Sequence, residues 1–157
     1  MFTKQRFDDW PINSSIISGL TELGWELATQ VQKDTIPLAL EGSNVIGQAR
    51  TGSGKTGAFG IPIINGCQPK GELQALILTP TRELANQVSI EMNTIQGDLG
   101  LKIITVYGGT DLEKQARPLN DGVDIIVGTP GRVMDMTKRK YIDLEQPSIF
   151  CLDEADR

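Results

Sequence analysis

Cysteine is scarce in this 157-residue chain, with Cys67 and Cys151 far apart and in no C-x-x-C pair. That spacing suggests neither a disulfide framework nor a zinc site, and it suits a reducing cytosol. Long apolar runs are missing too. No stretch approaches the roughly 18 apolar residues of a membrane span, and the opening "MFTKQRFDDW" is too polar for the core of a signal peptide. Excess positive charge is also lacking, since the formal net charge is -5 and the pI about 4.7. A generally basic, nucleic-acid-coating protein is excluded on that ground, so a polyanion would have to be gripped at chosen points. A soluble, cytoplasmic protein of one domain at most is expected from these limits.

What is present is a series of short apolar runs: "NVIGQ" at 44–48, "ALILT" at 75–79, "KIITVY" at 102–107, "DIIVGT" at 124–129 and "IFCLD" at 149–153. Most are rich in Ile, Val or Leu without polar alternation, as in strands covered on both faces. Helical patterns fill the gaps. Leu84, Val88, Met92 and Ile95 share one helix face after "PTREL", and "SSIISGLTELG" reads as a helix with Ser14 as cap, Ile16, Ile17, Leu20 and Leu23 as apolar stripe and Gly24 as stop. Alternating strands and helices predict an α/β fold with a parallel sheet and flanking helices.

Between the first run and the apolar segment "GAFGIPII" stands "ARTGSGKT", Ala49 to Thr56. Small residues at Gly52, Ser53 and Gly54 let the backbone turn tightly, so that several N–H groups and a helix N-terminus face one anion. Lys55 would neutralise the outer phosphates of a nucleotide and the Thr56 hydroxyl would ligate Mg²⁺. Ala49 stands where the general G-x-x-x-x-G-K-[ST] pattern has glycine. Hydrolysis needs carboxylates as well, and "IFCLDEADR" places Asp153 and Glu154 at the C-terminal end of a strand, the edge where open α/β sheets collect ligands. Asp153 is the expected metal-coordinating residue and Glu154 the base that orients water.

"DEAD" at 153–156, taken with "ARTGSGKT", "PTRELA" at 80–85, Gly108 and Gly109, and "TPGR" at 129–132, closely resembles the DEAD-box ATP-dependent RNA helicases. Ala49 is usual in that family. The resemblance implies a RecA-like P-loop NTPase fold, ATP and Mg²⁺ as cofactors, and single-stranded or short duplex RNA as partner. It assigns nucleotide contacts to Ala49, Arg50, Thr51, Gly52, Ser53, Gly54, Lys55 and Thr56. "GWELATQVQ" at 24–32 looks like the family's adenine-recognition element, with Trp25 beside the nucleotide and Gln32 at the defining glutamine, whose amide can donate and accept at once. Phe7, seventeen residues before Gly24, matches the upstream aromatic that would stack on adenine, although alone it reads as an ordinary anchoring aromatic. Ala28 and Gln30 stand where the family often has proline.

The resemblance also implies that Pro80, Thr81, Arg82, Gly108, Gly109, Thr129, Pro130, Gly131 and Arg132 hold the RNA sugar-phosphate backbone without reading bases. By themselves, "GG" and "TPGR" read as turns and the two arginines as surface charges. "KRK" at 138–140 reads as dipole compensation near a helix end and is left out of the site. The division expected is an adenine-recognition segment over 1–43 and an incomplete first RecA-like lobe over 44–157. The family's second lobe, its arginines and its Ser-Ala-Thr block are expected beyond Arg157, so the isolated piece is expected to be a poor ATPase and prone to aggregate along an unfilled strand slot. An ATP-gated RNA clamp or RNP-assembly module with negligible turnover is the alternative from another class. A DNA translocase of the wider superfamily is a third reading.

Overall fold

The computed structural model describes residues 2–42 and 54–153. The expected strand at 44–48, the phosphate-loop residues 49–53 and Glu154 lie outside the described residues. Two compact units divide the chain: Met1–Gly66 with Glu91–Gly100, and Cys67–Ile90 with Leu101–Arg157. This partition differs from a cut between residues 43 and 44, because the helix that starts at Lys55 groups with the segment before it.

The second unit holds four parallel strands, β3 (Ala75–Leu78), β4 (Ile103–Val106), β5 (Ile125–Gly128) and β6 (Ile149–Leu152), in the order β4-β5-β3-β6. Each falls inside an apolar run singled out above. β5 and β3 occupy the middle of the sheet, which is why Ile125, Ile126, Val127, Ala75 and Ile77 are almost wholly buried. The ladders are level: Ala75 faces both Ile125 and Ile149, and Ile103 faces Ile125. All four strands therefore end at one edge. β6 borders the sheet among the described residues, and Phe150 and Leu152 on it are exposed.

Three helices follow three of these strands: α4 (Arg82–Ile95), α5 (Leu112–Asn120) and α6 (Pro130–Lys138). Val133 and Met136 of α6 and Ala116 of α5 join Leu76, Val106 and Ile126 of the sheet in one apolar cluster. Complete burial of each large aliphatic side chain there contributes about 1.5–3 kcal/mol. Gly128 sets how closely α6 approaches, since a Cβ at that position would lie 2.7 Å from a methyl of Val106 and 2.7 Å from one of Val133. The edge where the strands begin is fastened by Asp124, which is 1% exposed. Its Oδ1 accepts from the backbone N–H of Lys70 and Gly71 and from Gln74 Nε2, and its Oδ2 from the N–H of Lys102.

The first unit contains an antiparallel ribbon of β1 (Phe2–Arg6) and β2 (Leu27–Thr29), with the helices α1 (Ser14–Glu22), α2 (Gln30–Leu40) and α3 (Lys55–Asn65). Asn13, not Ser14, caps α1, its side chain accepting from Ser15 N at 2.8 Å, and Gly24 at φ +79° follows the helix as expected. Ile16 and Leu20 are buried as that stripe requires. α4 is shared between the units: residues 91–95 belong to the first, where a Cβ on Gly19 would collide with the carbonyls of Thr94 and Ile95. Val88, Met92 and Ile95 are buried and Leu84 is half-buried, so the spacing of four, four and three marks the inner face of α4.

Candidate functional site

In the first unit the candidate site begins where α3 does. Gly54 sits at its N-cap with φ +88°, a left-handed conformation that favours glycine, and among the described residues no side chain caps the helix. Lys55 and Thr56, both half-buried, form the first helical positions, so the amides of that turn face out along the helix axis with a fractional positive charge.

Gln32 is 2% exposed and uses its amide at both ends. Its Oε1 accepts from Thr29 N at 2.9 Å, its own N–H donates to Thr29 Oγ1 at 3.4 Å, and its Nε2 donates to the Gly54 carbonyl at 3.0 Å. The first two bonds form a capping box at the start of α2, and the third ties that helix to the residue before Lys55. A Cβ on Gly54 would lie 2.6 Å from Gln32 Nε2 and 2.7 Å from Thr29 Oγ1. Likewise a Cβ on Gly57 would lie 2.9 Å from the ring of Trp25, which is half-buried against the first turn of α3. Thr29 belongs to this cluster although sequence reasoning passed over it. The signal was available, for T-x-x-Q is the spacing of a capping box.

Phe7 opens the short 3-10 turn Phe7–Asp9 that follows β1. It is 3% exposed and meets Trp10 edge-on, with ring centroids 6.0 Å apart and planes at 70°. Ala28, at a position where proline is common among the helicases it resembles, is fully buried at the end of the ribbon.

In the second unit, Pro80, Thr81, Arg82, Gly108, Gly109, Thr129, Pro130, Gly131, Arg132 and Asp153 all follow the C-terminal ends of parallel strands. The ladder extends one residue beyond each of three strands to aim them: Thr79 N donates to Gly128 O, Thr129 N to Val106 O, and Asp153 N to Leu78 O at 2.8 Å. Asp153 is 7% exposed. Thr81 Oγ1 accepts from Leu84 N and starts α4, whereas α6 starts at Pro130 with no side-chain cap among the described residues. Gly109 takes φ +87°, and among the described residues no atom beyond the local backbone lies within 4 Å of a Cβ built on Gly108, Gly109 or Gly131, so the backbone stands open there.

Both arginines of this edge are held. The Arg82 guanidinium lies 4.7 Å from the centroid of the Tyr107 ring. Arg132 donates from Nη1 to Gln115 Oε1 at 3.1 Å and from Nη2 to the Thr110 carbonyl at 2.9 Å. The "KRK" run lies at the other end of α6, with Lys138 in its last turn, Arg139 its C-cap and Lys140 at φ +66°. A stretch of four strand ends that presents open glycine backbone, a bare helix N-terminus and two oriented guanidinium groups can hold a chain of phosphates without contacting bases.

The family model described as DEAD/DEAH box helicase matches residues 29–157. The chain belongs to the DEAD/DEAH box helicase family. It is 44% identical to the ATP-dependent RNA helicase CshA of Listeria monocytogenes over 152 residues, which are 96% of this chain and 29% of that protein. It is 47% identical to the RNA helicase CrhR of Synechocystis over 150 residues, 96% of this chain and 30% of that protein. The crystal structure of a DEAD box protein from Methanococcus jannaschii superposes with a TM-score of 0.92 at 41% identity, covering 96% of this chain and 42% of that one. The chain thus spans about a third of the length of the curated relatives it matches.

Proposed function

We propose that this chain is the nucleotide-binding, N-terminal part of an ATP-dependent RNA helicase acting in the cytoplasm. It binds ATP with Mg²⁺ and the backbone of single-stranded RNA, and when joined to a second RecA-like lobe it hydrolyses ATP to open short duplexes locally. The observation that carries this reading is the gathering of "PTREL", "GG", "TPGR" and Asp153 at one edge of a level parallel sheet. Family membership and the left-handed Gly54 before Lys55 support it.

In this reading Lys55 and the first-turn amides of α3 hold the phosphates, and Trp25 and Gln32 contact adenine. Gln32 would do so through the amide hydrogen and lone pair left over from its bonds to Gly54 and Thr29. The oxygen donors Thr56 and Asp153 suit Mg²⁺, which takes few protein ligands beside phosphate oxygens and would screen the phosphate charge when bound. Glu154 orients the attacking water. Arginines of the second lobe, worth roughly 10³–10⁵ in rate where such a finger operates, complete the reaction. The test is ATP turnover by the full-length protein with and without RNA. Stimulation by RNA, abolished in Glu154→Gln with ATP binding kept, is the expected result. Tight ATP and RNA binding with no turnover would favour the ATP-gated clamp, and equal stimulation by DNA of the same sequence would remove the RNA assignment.

A further inference from the structure

Gln115, in α5, belongs to none of the sequence blocks that carry the family resemblance, yet its side chain makes three hydrogen bonds at the strand-end edge. Its Oε1 accepts from two donors, Tyr107 N at 3.1 Å and Arg132 Nη1 at 3.1 Å. Its Nε2 donates to Thr110 Oγ1 in a short hydrogen bond. The two donors and the hydroxyl fix which end of the amide faces which partner. Arg132 closes the circuit through Nη2 on the Thr110 carbonyl. One half-buried carboxamide therefore joins both ends of the loop that contains Gly108 and Gly109 to the arginine of "TPGR". It also fixes the backbone of Tyr107, whose ring carries Arg82.

We propose that Gln115 is a positioning residue for the phosphodiester backbone of single-stranded RNA. The inference rests on the RNA reading given above. Two adjacent glycines make a loop with much conformational freedom to lose, and an untethered arginine samples many rotamers. Ordering both when RNA arrives would weaken binding. Gln115 orders them beforehand, using two of the guanidinium N–H groups of Arg132 and leaving the others for an anion. It supplies no charge and touches no phosphate. Its action passes through Arg132 and through the backbone on either side of Gly108 and Gly109.

The test is a double-mutant cycle in RNA binding, read by fluorescence anisotropy with a labelled oligouridylate of about ten nucleotides. The proteins are the full chain, Gln115→Leu, Arg132→Lys and the double variant, with Gln115→Met as a better-packed replacement should the leucine protein unfold. Gln115→Leu or Gln115→Met is expected to raise the Kd about five- to tenfold while the thermal midpoint moves by only a few degrees. The double variant should bind no more than about twofold more weakly than the poorer single variant, because both changes break one unit. If Arg132→Lys weakens binding and neither Gln115 variant does, the positioning role is wrong and the RNA reading stands. If the two losses multiply independently, Gln115 does not act through Arg132 and the proposal fails. If none of the variants alters RNA binding, this edge is not the RNA site and both readings fall together.

Discussion

The two units of this chain are held by different means. The first relies on helix caps and close backbone approaches: a capping box at Thr29 and Gln32, an asparagine cap at Asn13, and glycines at positions 19, 54 and 97 where any Cβ would run into a neighbour. The second relies on a four-stranded parallel ladder between segments far apart in the chain, fastened at its lower edge by one buried carboxylate, Asp124. Steric insertion at Gly19 therefore tests the first unit, and loss of a polar partner at Asp124 tests the second. The difference also bears on the site, since the strand-end edge can vary its loops without disturbing the ladder, while Gln32 is at once a helix cap and bonded to the residue before Lys55.

The largest effect should follow Asp124→Ala. It leaves the backbone N–H groups of Gly71 and Lys102 without their acceptor and takes one acceptor each from Lys70 N and Gln74 Nε2, which keep others, at a cost of about 3–5 kcal/mol in urea unfolding. A loss under about 1 kcal/mol would deny that carboxylate its fastening role. Gly19→Ala comes next, at about 2–3 kcal/mol, because the new methyl meets two backbone carbonyls that cannot rotate away. A neutral result there would mean that α1 shifts freely against residues 91–100. Gln32→Leu removes an N-terminal partner of α2 and one of the two donors to the Gly54 carbonyl, which keeps Ala58 N, for about 1–2 kcal/mol. The same variant should narrow any preference for ATP over GTP, and unchanged base selectivity would remove the adenine role of Gln32.

The smallest effect concerns Cys67, whose thiol is pushed up to about 11 from 9.0 by burial first and by the Asp124 carboxylate second, with Lys70 opposing. A group whose folded pKa is raised favours the folded state below its unfolded pKa. Stability from this thiol is therefore complete below about pH 9 and is lost as pH rises through about 11. The urea midpoint of the parent protein should fall over that window more steeply than that of Cys67→Ala. Identical slopes would show that the thiol does not contribute.

The parallel sheet was legible in the sequence because central strands covered on both faces need unbroken Ile, Val and Leu, and "ALIL" and "IIVG" have them. The ribbon of β1 and β2 was not, since "FTKQR" alternates between exposed and half-buried positions and its three-residue partner has no period to read. Ser14 and Asn13 are chemically alike as caps, and only the bond to Ser15 N decides between them. Phe7 stands where the family pattern has its aromatic, and its edge contact with Trp10 had no signal in the spacing. Nothing in the spacing marked Gln115, a polar residue on a surface helix whose importance lies in partners at Tyr107, Thr110 and Arg132.

The most direct test of the whole account is an amide NMR titration of this chain, first with MgATP and then with single-stranded RNA. MgATP should shift the amides of Gly54, Lys55, Thr56 and Gln32, and RNA those of Gly108, Gly109, Thr129 and Gly131. RNA shifts confined to helix surfaces away from the ends of β3, β4 and β5, or MgATP shifts that spare Lys55 and Thr56, would contradict it.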